Sequence, residues 1–303
     1  MPSLPPPLPH PRAPELPEGI EPKPDDNPAK GTPPRERLPA WPAWSPFAAM
    51  LLVVVVVFGA VSVLTVLLLV VGIDPDETAD SSAIDIAGIL IQDVALIAAP
   101  VLVATRVAGR PTPWQFGLRR TALWPAVGWA LAVLVGFYML SAIYAVAVDV
   151  QQEDELLQDL GARDSALALA AITVLVTILA PIGEELFFRG FLFTAMRRWI
   201  DTVPAALVTG VLFAAVHVPS KPIELAVPLV ILGAGLCLLY HVTGSLLPCM
   251  AVHSLNNSIA VGVSEGWTWY ATVGMMAAAI AVILLLVLPL TRSRRLNLAP
   301  ATA

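Results

Sequence analysis

At 303 residues, 57% of them hydrophobic and only 13% charged, with a mean hydropathy of +0.78, the chain is too apolar for a soluble globular domain. Its uncharged runs are long enough to cross a bilayer, so composition predicts an all-α polytopic membrane protein. The net charge of −6 is spread over a tail and short connections instead of one face and implies neither an acidic nor a basic partner; the partner expected is the lipid bilayer, with no nucleic acid.

Residues 1–43 hold 15 prolines among scattered charges and predict a disordered cytosolic tail, because little apolar surface is available to offset the entropy of ordering. The tail lacks a basic start followed by an apolar run, so the first span is expected to direct membrane insertion. That span covers residues 44–73, with Trp41 and Trp44 expected at the membrane interface. After an acidic loop, residues 86–105 predict a second span interrupted by Asp93. This carboxyl is open to a functional role and to a structural one, protonated or bonded to a neighbouring helix. A basic connection containing Trp114 and Phe116 suits the headgroup level, and a third span follows at 123–148.

A second acidic loop leads to span four, from Ala166 to Arg197 and Arg198. Spans five to eight are expected at 203–218, 225–240, 246–263 and 267–290, about eight transmembrane helices in all. Placing the tail and every second connection on the cytosolic side assigns 15 of the 17 lysines and arginines to that side when Arg189 within span four is counted with Arg197 and Arg198, leaving Arg163 and Lys221 outside. The layout therefore predicts a multi-pass protein of the cell membrane with both termini cytosolic. Cys237 and Cys249 fall in apolar segments and read as small hydrophobes.

The polar residues within these spans form a pattern. Span four carries Gly183-Glu184-Glu185-Leu186-Phe187-Phe188-Arg189-Gly190, three costly charges in a strongly apolar region. Residues four apart share a helix face, so Glu185 and Arg189 can form an ion pair while Glu184, about 100° away, faces another neighbour. Phe213 and His217 repeat the spacing on span five, as do His253 and Asn257 on span seven. In an antiparallel hairpin, Glu184 and His217 lie roughly 20 Å from the turn, at equal depth, and His253 lies roughly 12 Å into its own span.

One carboxylate and one imidazole can deprotonate a water, and a second imidazole with a carboxamide can donate hydrogen bonds to an oxyanion. Those are the parts of a peptide hydrolase. The sequence has no Gly-x-Ser-x-Gly elbow and no His-Glu-x-x-His, which argues against serine and standard zincin mechanisms.

The ordered set Glu184-Glu185-x-x-x-Arg189, Phe213-x-x-x-His217 and His253-x-x-x-Asn257 resembles the three motifs of the CPBP intramembrane protease family, also called the CAAX protease or Abi family. The resemblance covers about residues 165–265. It implies an intramembrane endopeptidase acting on a peptide or protein substrate at the membrane, with Glu184 and His217 activating water and His253 and Asn257 forming an oxyanion hole. Glu185 and Arg189 would then organise the site. It also implies a metal-free mechanism with no cofactor; zinc held by Glu184, His217 and His253 has acceptable ligand chemistry and is the alternative. The domain expectation is a tail at 1–43, three spans at 44–164, a catalytic core at 165–265, and a last span with a basic C-terminus at 266–303.

Each residue also has a structural reading: Glu185 with Arg189 as an ion pair, His253 with Asn257 as interhelical glue, His217 as an interfacial histidine and His241 without chemistry. Two other functions fit parts of the pattern. A partner-binding or immunity protein would not need Glu184, and a proton-coupled transporter would use Asp93, although the paired broken helices of a transport site are not apparent.

Overall fold

The computed structural model describes residues 39–72, 82–150, 165–218 and 223–291. The expectations for most of the proline-rich tail, for most of the two acidic loops, for Lys221 and for the basic C-terminus lie outside them. The described residues form eight main helices and no strand. They are α1 (Ser45–Val70), α2 (Ser82–Ala108), α3 (Leu123–Val148), α4 (Ala166–Met196), α5 (Thr202–His217), α6 (Ala226–Thr243), α7 (Leu246–Ser264) and α8 (Trp269–Val287).

Seven of these are long and apolar enough to cross a membrane, α6 counting with the 3-10 turn Ile223–Leu225 ahead of it. The chain is thus all-α and polytopic. Helix α5 is the exception at 16 residues. It rises only about 24 Å at 1.5 Å per residue, less than the ~30 Å of a hydrocarbon core. Its predicted partner geometry still holds, because α4 and α5 form a hairpin that places His217 beside Glu184.

Local sequence explains the helix ends. Ser165 and Ser245 cap α4 and α7, their hydroxyls accepting the backbone N–H of Ala168 and Leu247 at 3.1 and 3.2 Å. Gly244 closes α6 in the left-handed region at φ +62°, which a side chain would resist. The turn from α6 to α7 is clasped to the connection between α2 and α3. Leu246 N–H donates to the Gly117 carbonyl at 2.9 Å, Ser245 Oγ donates to the Arg119 carbonyl at 2.6 Å, and the Arg119 guanidinium donates to the Gly244 carbonyl.

Helix α4 runs through the centre, and every residue of Glu185–Phe193 is buried. Two stretches of it, Leu175–Leu179 and Glu185–Phe193, are wound as π-helix, a widening often found at functional sites. Elsewhere glycine permits close approach: a Cβ on Gly210 of α5 would lie 2.7 Å from the Val230 carbonyl of α6, and one on Gly233 2.8 Å from Gly210 Cα. Around this core α1, α3 and α8 turn large apolar residues such as Phe58, Leu131 and Leu285 outward, as lipid contact requires.

Trp41 departs from expectation. It is buried, with 1% exposure, between Phe116 and Phe191, each with its ring centroid 4.9 Å away, whereas Trp44 is exposed. Trp41 is therefore a core residue and not an interfacial one, and packing against the protein begins ahead of the boundary expected at residue 43. The two cysteines are free and fully buried, as small hydrophobes.

Candidate active site

Glu184 and Glu185 follow one another on α4, and the helix turns them to different tasks. Glu185 is fully buried, and its Oε1 accepts from Arg189 Nη1 at 2.8 Å. The guanidinium also donates to the Gly233 carbonyl of α6 at 3.1 Å and lies 4.7 Å from the centroid of the Phe213 ring. A charge so deep requires these partners, and the ion pair expected from the four-residue spacing is present.

Glu185 has a second role that the sequence did not reveal. The same Oε1 is 2.8 Å from His253 Nδ1 on α7, which fixes the imidazole by donating Nδ1–H to the carboxylate and leaves Nε2 facing inward. His217 is oriented in the same way from a different acceptor, its Nδ1 lying 2.7 Å from the Phe213 carbonyl one turn earlier. Phe213 packs between the two histidines, with ring centroids 4.7 Å from His217 and 5.9 Å from His253.

The inward Nε2 atoms converge on one oxygen. Glu184 Oε2 lies 3.9 Å from His217 Nε2 and 3.8 Å from His253 Nε2, and no hydrogen-bond donor reaches it within the protein. Three helices thus deliver a carboxylate and two imidazoles to one point, as the depth arithmetic requires. These groups line a cavity of about 360 Å³ together with Asp93, Gln92, Phe213, Asn256 and Asn257.

Asn257 faces this cavity and donates from Nδ2 to the Val176 carbonyl at 2.9 Å. The neighbouring Ser254 Oγ donates to the Thr177 carbonyl at 2.6 Å. Both acceptors belong to the first π-helical stretch of α4, where the widened turn leaves carbonyls for side chains of α7. Asn256 accepts from the Tyr138 hydroxyl of α3 at 3.2 Å. Neither Tyr138 nor Ser254 had a recognisable sequence signal, since each bond depends on which helix lies opposite.

Asp93 reaches the same cavity from α2. Its backbone carbonyl lies 3.1 Å from where a Cβ on Gly183 would stand, so the absence of a side chain there sets the approach of α2 to α4. His241 is exposed at the end of α6, away from this cavity.

The donors around Glu184 are spaced too widely for zinc. Tetrahedral zinc with ligand bonds of about 2.0 Å places its ligands about 3.3 Å apart. The separations of 3.8 and 3.9 Å are wider, and among the described residues no group of three or more His, Cys, Asp or Glu side chains has metal-binding spacing.

No curated protein and no solved structure matches the chain. One family model does, over residues 166–259: the type II CAAX prenyl endopeptidase Rce1-like family. The match spans α4 to α7, the helices that carry Glu184, Glu185, Arg189, His217, His253 and Asn257, so this helical core is similar to the CPBP, or CAAX protease, family of peptidases.

Proposed function

We propose that the protein is a glutamate-dependent intramembrane endopeptidase that hydrolyses a peptide bond of a membrane-associated substrate. The observation that carries this reading is the convergence of two imidazole Nε2 atoms on Glu184 Oε2 inside a cavity. In the proposed reaction a water lies against Glu184 and His217, and Glu184 accepts its proton as the oxygen attacks the scissile carbonyl. The carbonyl oxygen becomes an oxyanion and receives hydrogen bonds from His253, protonated at Nε2, and from the second N–H of the Asn257 amide. Collapse of the tetrahedral intermediate breaks the C–N bond, and the leaving amine takes the proton held by Glu184.

Glu185 and Arg189 act as positioning residues in this scheme. Glu185 holds the His253 ring and balances the charge of its doubly protonated form, and Arg189 keeps Glu185 in place. The catalytic core extends over residues 165–265, and the remaining spans supply its walls in the bilayer.

The test is proteolysis of a peptide panel by detergent-purified protein. Glu184→Gln and His217→Ala are expected to lower kcat by about 10²–10⁴-fold, with melting temperatures near wild type. Activity is expected to survive a zinc chelator; loss in chelator with recovery on adding zinc overturns the metal-free mechanism. Cleavage at the wild-type rate by Glu184→Gln overturns the assignment of the base.

A further inference from the structure

Asp93 is the buried acid that the proposed mechanism leaves unused. It is 1% exposed, and neither side-chain oxygen has a hydrogen-bond partner. A buried carboxyl in that condition is costly, and its cost calls for a compensating partner. Glu185 shows the contrast: it is equally buried but is met by Arg189 and His253. Asp93 instead lines the same cavity as Glu184.

None of the residues lining the cavity is lysine or arginine; its basic side chains are the imidazoles of His217 and His253, both turned toward Glu184. The cavity extends to Leu225 and Ser264 at the ends of their helices, where Glu224 and Glu265 each have a buried oxygen without a donor. Phe137, Leu229 and Leu232 add apolar surface to its lining. Apolar surface beside an unpartnered buried carboxyl suits a long aliphatic stem that carries a positive head.

We propose that this cavity is a binding subsite for a lysine or arginine side chain of the substrate, with Asp93 receiving the cationic head. The peptidase then selects membrane-associated peptides that carry a positive charge beside the scissile bond. The inference rests on the endopeptidase reading above for its link to cleavage, but the subsite can be measured without it.

The experiment uses internally quenched peptides in which lysine, arginine, norleucine, glutamine or glutamate occupies each position around one scissile bond. Wild-type protein is expected to favour lysine or arginine over norleucine at one position by about tenfold or more in kcat/KM. Asp93→Asn is expected to bring that ratio to about one, and Asp93→Glu, which keeps the carboxylate, to retain it. Anisotropy of fluorescein-labelled lysine and norleucine peptides on Glu184→Gln protein reads binding alone and is expected to show the same preference, lost in the Glu184→Gln/Asp93→Asn double variant. Equal kcat/KM for lysine and norleucine peptides at every position overturns the proposal, as does a preference unchanged in Asp93→Asn. Should Asp93→Asn fail to fold, the wild-type ratio and Asp93→Glu decide. Should nothing be cleaved, the peptidase reading fails and anisotropy alone decides the subsite: an Asp93-dependent preference sustains it, and equal binding overturns it.

Discussion

Glu184 and Glu185 differ by one position and have opposite surroundings. Glu185 is held by an arginine and a histidine, whereas Glu184 presents an unbonded oxygen to two imidazoles. Removing one member of a buried ion pair strands the other, at about 3–5 kcal/mol. Arg189→Ala is therefore expected to lower the melting temperature sharply in detergent, while Glu185→Gln/Arg189→Met, which strands no charge, recovers most of the loss. A strictly additive double variant would show that the two side chains are not coupled. Glu185→Gln alone is expected to lower kcat more than it raises KM, because it removes the negative charge that balances the doubly protonated His253 ring and touches no substrate.

At the scale of helices, two contacts hold the side chains around Glu184 in register. The first is the crossing of α5 and α6, where Gly210 and Gly233 leave no room for a Cβ. Gly210→Ala pushes against backbone instead of a flexible side chain. It is expected to destabilise by about 1–3 kcal/mol and, by displacing His217, to reduce cleavage beyond what the lost stability explains. Wild-type activity in that variant would refute the link between this crossing and the site. The second is the seam between α4 and α7, where Asn257 and Ser254 bond carbonyls of a π-helical turn. Ser254→Ala is expected to cost about 1 kcal/mol in thermal stability with kcat little changed, whereas Asn257→Ala loses both stability and kcat.

Much of this was legible in the sequence, for identifiable reasons. Helical spacing made a pair of Glu185 and Arg189 and freed Glu184. Counting residues from the turn placed Glu184 and His217 at one depth. The bond from Glu185 to His253, the Tyr138 contact and the burial of Trp41 were not legible, because each depends on the rotation of one helix against another. Nor was the π-helical winding of α4, since no single residue encodes it. Asp93 stood out as a charge within a span, but only the approach of α2 at Gly183 brings it to Glu184.

Taken as a whole, the protein has two unlike ends. Among the described residues Arg106, Arg110, Arg119, Arg120, Arg197 and Arg198 lie toward one end, and Asp85, Asp149, Glu224 and Glu265 toward the other. We expect the arginine end to be cytosolic. Both native cysteines are buried, so single cysteines introduced at Arg198 and Glu265 can be tested with a membrane-impermeant maleimide. Intact cells should label the cysteine at 265, and only opened or inverted membranes the one at 198. The reverse pattern would turn the protein over in the membrane and place the cavity on the cytosolic side. The shortness of α5 adds a further consequence. A helix that stops before the bilayer does leaves His217 at a level fixed by the protein, while the surrounding lipid sets how far water must come to reach it. Cleavage should then vary with acyl-chain length at constant protein and substrate, fastest in thin bilayers and slowest in thick ones, making membrane thickness itself a regulator of the enzyme.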